Sequence, residues 1–491
     1  MSIFDSLYNI ATDNDSLDLF LRDNIVKFAD FCSENVETQK VELDNFEHFV
    51  LFKTGVIERL DYAKSYNRAF VYYLLEYCER FCSTSVIVQL YRIIQDNNLN
   101  IGSRLEAAML YLYNVSSNQV FVDRFDEICC KLQTAINEED DDDSKVNATF
   151  LNYYSYVIYN TSHPKFVQDI QSKYYNQIKN NGYPFLHSQV IKDCLSLDVS
   201  DSDFVFQTIQ NKIDELLGKK QSVENIKAIG TNCIIEDNTA YSEMLAKAPQ
   251  KFQSIRDISV GQFYLCENQN EIYNSLGRGV KILNEEAQLY SYINSYGNMH
   301  EAKMLSALQY LPLDELDCKD IEIFDWACGQ GLASTILYEY INNKKSNLNI
   351  RRVVLIEPSE IALKRAALHV RHFDNQCELK TVLKDIDSVQ CDDIHSDTNA
   401  VKIHLFSNIL DVEGFSMDHL VSLVEQTQKG NNYFVCVSPY ITDAKTARIE
   451  SFVQHFANQH NTFSKYSEIE SKRGEWKNGW TRVIRLFSVI F

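Results

Sequence analysis

From about residue 318 short β-rich runs alternate with helical ones, and no other feature of this 491-residue chain narrows its fold so far. The runs are Ile321–Asp325, Val353–Glu357, Glu378–Leu383, Val401–Ser407 and Tyr433–Ser438, with starts 32, 25, 23 and 32 residues apart. Helical patterns fill the gaps at Leu332–Tyr340, Glu360–His372, Met417–Gln428 and Ala444–Phe456. A parallel strand pair needs a crossover long enough to hold a helix, so this spacing predicts an α/β, doubly wound and mostly parallel sheet. The run Val353-Val354-Leu355-Ile356 suits a strand buried on both faces. A last run, Thr481–Ile490, is reached through a hairpin and completes an expected seven-stranded sheet with a terminal antiparallel pair.

The first half reads differently. Segments such as Phe70–Tyr77 and Arg104–Tyr111 carry apolar residues at helical spacing, separated by polar breaks. They predict a large all-α region over 1–225, solenoid-like in its run of helices but without a repeat signature at a fixed period, so an irregular helical domain is expected. The acidic run Glu138–Asp143 is expected to be a solvated loop. Residues 226–317 form a helical connector in which Glu285–Tyr296 is amphipathic and Leu305, Leu308 and Leu311 prolong the apolar face. The α/β part takes 318–491.

The chain has only 15 glycines, and just Gly55, Gly102, Gly182 and Gly218 precede residue 230. A helical half needs few; where a glycine-poor chain places them, the backbone needs special freedom. The formal charge of −21 excludes a general nucleic-acid coat, because bulk repulsion would oppose phosphate. No run is long and apolar enough to span a bilayer, and the first residues carry no basic, leader-like stretch, so a cytoplasmic protein is expected. The 13 cysteines include no CxxC pair and read as reduced thiols; no metal site is expected.

One loop carries chemistry. The run Ile321–Asp325 leads into Trp326-Ala327-Cys328-Gly329-Gln330-Gly331 and then a helix: an acid closes a strand, two glycines turn the chain, and a helix N-terminus offers free N–H groups. The second strand also ends on an acid, Glu357, suited to a pair of ribose hydroxyls. The nicotinamide fingerprint has a third glycine three residues after the second, where Ser334 stands, so a nicotinamide oxidoreductase is disfavoured. The loop instead resembles motif I of the class I S-adenosylmethionine-dependent methyltransferases, a hydrophobic strand followed by D-x-G/A-C-G-x-G, matched by Asp325, Ala327, Cys328, Gly329 and Gly331. The resemblance covers about a third of the chain. It implies S-adenosylmethionine as cofactor, with Ala327, Gly329 and Gly331 beside its methionine and adenosine parts, Asp325 near its amino group and Glu357 on the ribose. Asp385, just after the third strand, would meet the adenine amino group.

Acceptor chemistry in this family sits at the end of strand four, here Ser407-Asn408-Ile409-Leu410-Asp411, which makes Asn408 and Asp411 the catalytic candidates by position. The D/N/S-P-P-Y/F signature of amino-group methyltransferases is missing there; Ser438-Pro439-Tyr440 is a shortened version on strand five. Cys436 lies within a strand, a poor place for a nucleophile. The segment Lys472–Trp480, followed by Arg482 and Arg485, interleaves bases with two of the three tryptophans, and the family topology puts this turn at the cofactor's edge of the sheet. It could stack and neutralise nucleic acid, which favours RNA over protein as the macromolecular acceptor. His300 and Lys303 are expected to cap the cofactor side from the connector helix. The rival expectation is a catalytically silent methyltransferase-like scaffold.

Overall fold

The computed structural model describes residues 3–33, 36–139, 141–161, 164–199, 201–217 and 233–491. The chain forms two compact units, Met1–Ser222 with Ile441–Ala447, and Val223–Tyr440 with Arg448–Phe491. The boundary expected at 225/226 lies outside the described residues.

The first unit is helical. Its central helix, Asp143–Asn160, buries residues from Val146 to Ile158 and packs on helices Ser65–Phe81, Gly102–Leu112, Phe125–Glu139, Pro164–Lys179, Gln189–Leu195 and Ser202–Leu217. Units of a solenoid touch only their neighbours, so this is an irregular bundle around one hub. The acidic run is more than a solvated loop. Glu139 accepts from Ser103 N–H and Oγ at 2.6 and 2.7 Å, and Asp141 pairs at 3.0 Å with Arg104, a cation only 3% exposed. A guanidinium buried so deeply requires such partners.

The second unit holds seven strands: β1 (Asp320–Trp326), β2 (Asn349–Ile356), β3 (Glu378–Val382), β4 (Val401–Ser407), β5 (Asn431–Ser438), β6 (Ser464–Ser471) and β7 (Arg482–Ile490), in the order β3-β2-β1-β4-β5-β7-β6. The first five are parallel, and β7 runs antiparallel to β5 and β6. The order reverses at β1, whose neighbours are β2 and β4, which creates the crevice where open α/β sheets bind ligands.

Register aligns one residue of each central strand into rows. Phe324, His404, Phe434 and Phe487 are successive cross-strand partners with ring centroids 5.3, 4.7 and 4.6 Å apart, and Phe452 and Phe456 pack against Phe434. Each such aromatic pair adds about 0.5–1.5 kcal/mol beyond its buried area. The Trp326 indole N–H donates to His404 Nδ1 at 3.2 Å, so His404 Nε2 carries the proton and donates to Asn432 Oδ1 at 3.0 Å. On the opposite face Ile321, Ile323, Leu355, Leu405 and Val435 share one core with helices Leu332–Lys344, Glu360–Phe373 and Glu286–Leu308. The last of these unites the expected amphipathic segment with the residues after it; Leu308 and Leu311 are buried, but Leu305 is 39% exposed and leaves the apolar face. No helix among the described residues is long and apolar enough to cross a membrane.

Candidate functional site

The carboxyl ends of the parallel strands fall in one row: Val382, Ile356, Trp326, Phe406 and Cys436 are mutual partners across β3, β2, β1, β4 and β5. The residues that follow this row lie at the same edge of the sheet: Asp385, Glu357, the loop Ala327–Gly331, Asn408 and Ser438.

The loop turns through three left-handed residues, Ala327 (φ 49°), Gly329 (φ 52°) and Gly331 (φ 70°). Cys328 N–H donates to Ile356 O at 2.9 Å and Gly331 N–H to Cys328 O at 2.7 Å, which closes the turn onto β2. The two glycines differ in purpose. A Cβ on Gly329 would meet nothing within 4 Å, whereas one on Gly331 would stand 3.1–3.3 Å from Cβ, Cα and O of Ala366. Gly331 therefore seats one helix against another, and Gly329 keeps open the space above the loop. Ala327 bears a Cβ in a conformation that costs L-residues roughly 1–2 kcal/mol. Replacing Ala327 with Gly should raise stability by about 0.5–1 kcal/mol after the unfolded-state entropy is counted, read as a higher Tm in thermal unfolding.

Two carboxylates flank this space. Asp325, 1% exposed, accepts from Ser334 N–H at 3.2 Å and Ser334 Oγ at 2.7 Å. The residue that breaks the nicotinamide pattern thus anchors the acid of β1. Glu357, 8% exposed, accepts from Gly329 N–H at 2.9 Å through one oxygen and from Ser359 N–H at 3.0 Å through the other. Burial pushes both acids up to about 7 against these hydrogen bonds. The segment before the sheet is tied to the residues beside these acids: Gln330 Nε2 donates to Leu289 O at 3.0 Å and Ser359 Oγ to Leu283 O at 2.5 Å. Gln330 Oε1 is buried without a hydrogen-bond partner, an acceptor left over inside the loop.

Asp385 is half-buried beyond β3 and caps its own turn, accepting from Ser388 N–H at 2.9 Å. Asp411 is 5% exposed and accepts from Ser438 Oγ at 2.7 Å, which ties the segment after β4 to the end of β5. Asn408 adopts φ 57° directly after β4. Its Oδ1 accepts from Lys303 Nζ at 2.5 Å, and its Nδ2 lies 3.0 Å from the His300 ring nitrogens. His300 and Lys303 do reach the sheet edge from helix Glu286–Leu308, and burial together with Lys303 holds His300 down to about 3, so its ring is neutral. Cys436 is 1% exposed and burial raises its thiol, which removes it as a nucleophile.

The pairing of Ser438 with Val483 places the β6–β7 turn at this same edge. Thr481 Oγ1 donates to Tyr440 O at 2.8 Å, the Trp476 and Trp480 rings lie 6.3 Å apart, and Arg482 covers Trp476 at 4.5 Å. Lys472, Arg473 and Lys477 are exposed. Arg485 is not part of that basic surface: it is 2% exposed and bound to Glu450 and Glu470 inside the unit. Two residues that sequence reasoning passed over belong to the site. Ser334 counted only as a missing glycine, and Tyr292, whose hydroxyl lies 3.0 Å from His300 Nε2, is one of the chain's 28 tyrosines with no local mark to single it out.

The mostly parallel seven-stranded sheet with its antiparallel end gives the second unit the doubly wound α/β fold that the sequence predicts, with an acid-flanked glycine loop after β1. No protein-family model matches the chain, and no curated protein is significantly similar to it. Solved structures resemble it distantly. A protein from Listeria monocytogenes assigned to the class I S-adenosylmethionine-dependent methyltransferases is 11% identical over 71% of this chain and 88% of its own, with a TM-score of 0.28. The plantazolicin methyltransferase, solved with S-adenosylhomocysteine and a monoazolic desmethylPZN analogue, is 11% identical over 49% and 99%, at TM-score 0.30. A 16S rRNA adenine-N1 methyltransferase from Catenulisporales acidiphilia is 12% identical over 37% and 91%, at TM-score 0.23. At such scores the likeness decides nothing about activity.

Proposed function

We propose that the chain is a cytoplasmic S-adenosylmethionine-dependent methyltransferase with a macromolecular acceptor, RNA ahead of protein. The observation that carries this reading is the pair of buried acids at the neighbouring ends of β1 and β2, on either side of a loop whose Gly329 leaves open space. A sulfonium cation bearing an ammonium group and a ribose diol needs acceptors and negative charge where Asp325 and Glu357 stand, and each carboxylate retains lone pairs beyond its present bonds. When bound, the cofactor supplies a methyl group activated for in-line displacement. Ala327, Gly329 and Gly331 would line its methionine and adenosine parts, Asp325 would hold its amino group, Glu357 its ribose and Asp385 the adenine amino group. Asn408 and Asp411 would stand at the acceptor end. Residues 318–491 would be the catalytic domain, 226–317 its cap, and the helical 1–225 the part that grips a large substrate.

RNA is favoured by the Lys472–Trp480 hairpin: exposed cations and a pair of indoles beside the candidate cleft, on a chain whose overall charge is −21. The second reading, a catalytically silent scaffold, is favoured by Asn408, whose amide is occupied by Lys303 and His300 rather than offered to an acceptor. Calorimetric titration with S-adenosylmethionine should show saturable binding, and folded protein giving no heat at millimolar cofactor would overturn the enzyme reading. Methyl-tritiated cofactor then separates the two: an enzyme transfers label to co-purifying RNA, a scaffold binds partners and transfers none.

A further inference from the structure

The cluster at the end of β4 has a direction, and it follows from which groups can donate. Lys303 Nζ has donors only, so its 2.5 Å contact with Asn408 Oδ1 turns the amide nitrogen of Asn408 towards His300. That nitrogen can only donate, so the His300 nitrogen receiving it must be bare. Two arrangements satisfy this. In one, Nδ1 accepts from Asn408 at 3.0 Å and the protonated Nε2 donates to Tyr292 Oη at 3.0 Å. In the other, Nε2 takes both Asn408 and Tyr292 on a single lone pair, and the Nδ1 proton is left with Ser407 Oγ at 3.5 Å. The first gives each lone pair one donor through contacts of 3.0 Å and leaves the equal approach of Asn408 Nδ2 to Nε2 unbonded, whereas the second loads one lone pair twice. The consequence of the first is that the Tyr292 oxygen accepts from His300, and the tyrosine's own proton is free to be donated onward.

Onward lies the candidate cofactor cleft. The Tyr292 ring packs with Leu283, Leu289 and Ala362, beside the segment that follows β2, while its hydroxyl meets His300, which contacts Asn408 at the end of β4. Gly279 packs against the ring edge so closely that a Cβ there would be 2.9 Å from Cε2. A ribose hydroxyl that donates to Glu357 still has an oxygen lone pair needing a donor. We propose that Tyr292 is a cofactor-positioning residue: Lys303, Asn408 and His300 fix its hydroxyl as a donor, and that donor meets a ribose oxygen of the nucleoside held by Glu357. The proposal rests on the methyltransferase reading and gives Asn408 a role behind the site rather than at the reacting atom.

The test titrates the full chain with S-adenosylhomocysteine and with its 2′,3′-dideoxy analogue. Tyr292→Phe should weaken the first about 5- to 20-fold and leave the second within about twofold of wild type. Asn408→Asp is the second variant. Its side chain only accepts, so it still satisfies Lys303 but demands a proton on Nδ1; Nε2 then captures the tyrosine proton. It should lower S-adenosylhomocysteine affinity to the level of Tyr292→Phe, with no further loss in the double variant. Nitrogen-15 spectra of the His300 ring should show the Nε2–H tautomer in wild type and Nδ1–H in Asn408→Asp, a readout that requires no ligand. Unchanged affinity of Tyr292→Phe, an equal loss on both ligands, or an Nδ1–H tautomer in wild type would each overturn the proposal alone. Wild type that binds neither ligand would overturn the methyltransferase reading and this with it.

Discussion

Asp325→Asn should make the cofactor-free protein more stable at pH 8 while removing its affinity for S-adenosylmethionine. The carboxyl is 1% exposed, and burial raises it to about 7 from an ordinary value of 3.8. Between those two values the folded chain holds a proton that the unfolded chain has released, so this group's contribution to stability is complete below about pH 4 and is lost as pH rises through 7. Asparagine can keep the Ser334 bonds through its oxygen without burying a charge. The variant should therefore unfold at least about 2 kcal/mol higher at pH 8, roughly 4–8 °C in Tm, with the difference closing towards pH 4. The same argument predicts that cofactor binding to wild type tightens from pH 6 to 8, because the sulfonium and ammonium charges favour the ionised acids. Thermal unfolding across pH together with calorimetry measures both halves. A lower Tm for the variant at pH 8 would mean the acid is a structural anchor, as buried carboxylates outside functional sites are when fully paired.

Strain of this kind explains why the site was partly legible in the sequence. Strand β4 matches its expected bounds, Val401–Ser407, because seven residues buried along nearly their whole length admit little else. Strand β2 begins at Asn349 rather than Val353, since Asn349 to Arg352 alternate exposed and half-buried residues at the solvent end of a strand whose core is apolar. The acids Asp325 and Glu357 stood out because a carboxylate ending an apolar strand has no packing reason to be there. Tyr292 carried no such mark, because its role depends on partners 8 and 116 positions away, His300 and Asn408, brought together only by the fold. Glu236 and Arg365 were equally invisible: the buried guanidinium pairs with a carboxylate 129 residues earlier and covers the Tyr241 ring at 3.5 Å. The acidic run before Asp143 misled in the opposite sense, because counting charge cannot show that Arg104 waits beneath it.

The two loop glycines, identical in any motif, should fail in opposite ways. Gly331→Ala places a methyl group 3.1–3.3 Å from Ala366, where two of the three nearest atoms are backbone and cannot rotate aside, and it does so at φ 70°. The left-handed conformation costs about 1–2 kcal/mol and the forced separation of helices Leu332–Lys344 and Glu360–Phe373 about 1–3 more. A loss of about 3 kcal/mol should lower Tm by roughly 6–12 °C, so a bulky residue at 331 tests folding before it tests ligand binding. Gly329→Ala bears the same backbone penalty at φ 52° but meets open space, and its fold should survive with a Tm loss of only about 3–6 °C. Its methyl group instead occupies the volume above the loop, and S-adenosylmethionine should bind about 10- to 100-fold more weakly. Measuring Tm and cofactor affinity for both variants separates a glycine turn kept for packing from one kept for a ligand. If Gly329→Ala binds cofactor like wild type, the open space at that loop holds no ligand, and the acids beside it require another explanation.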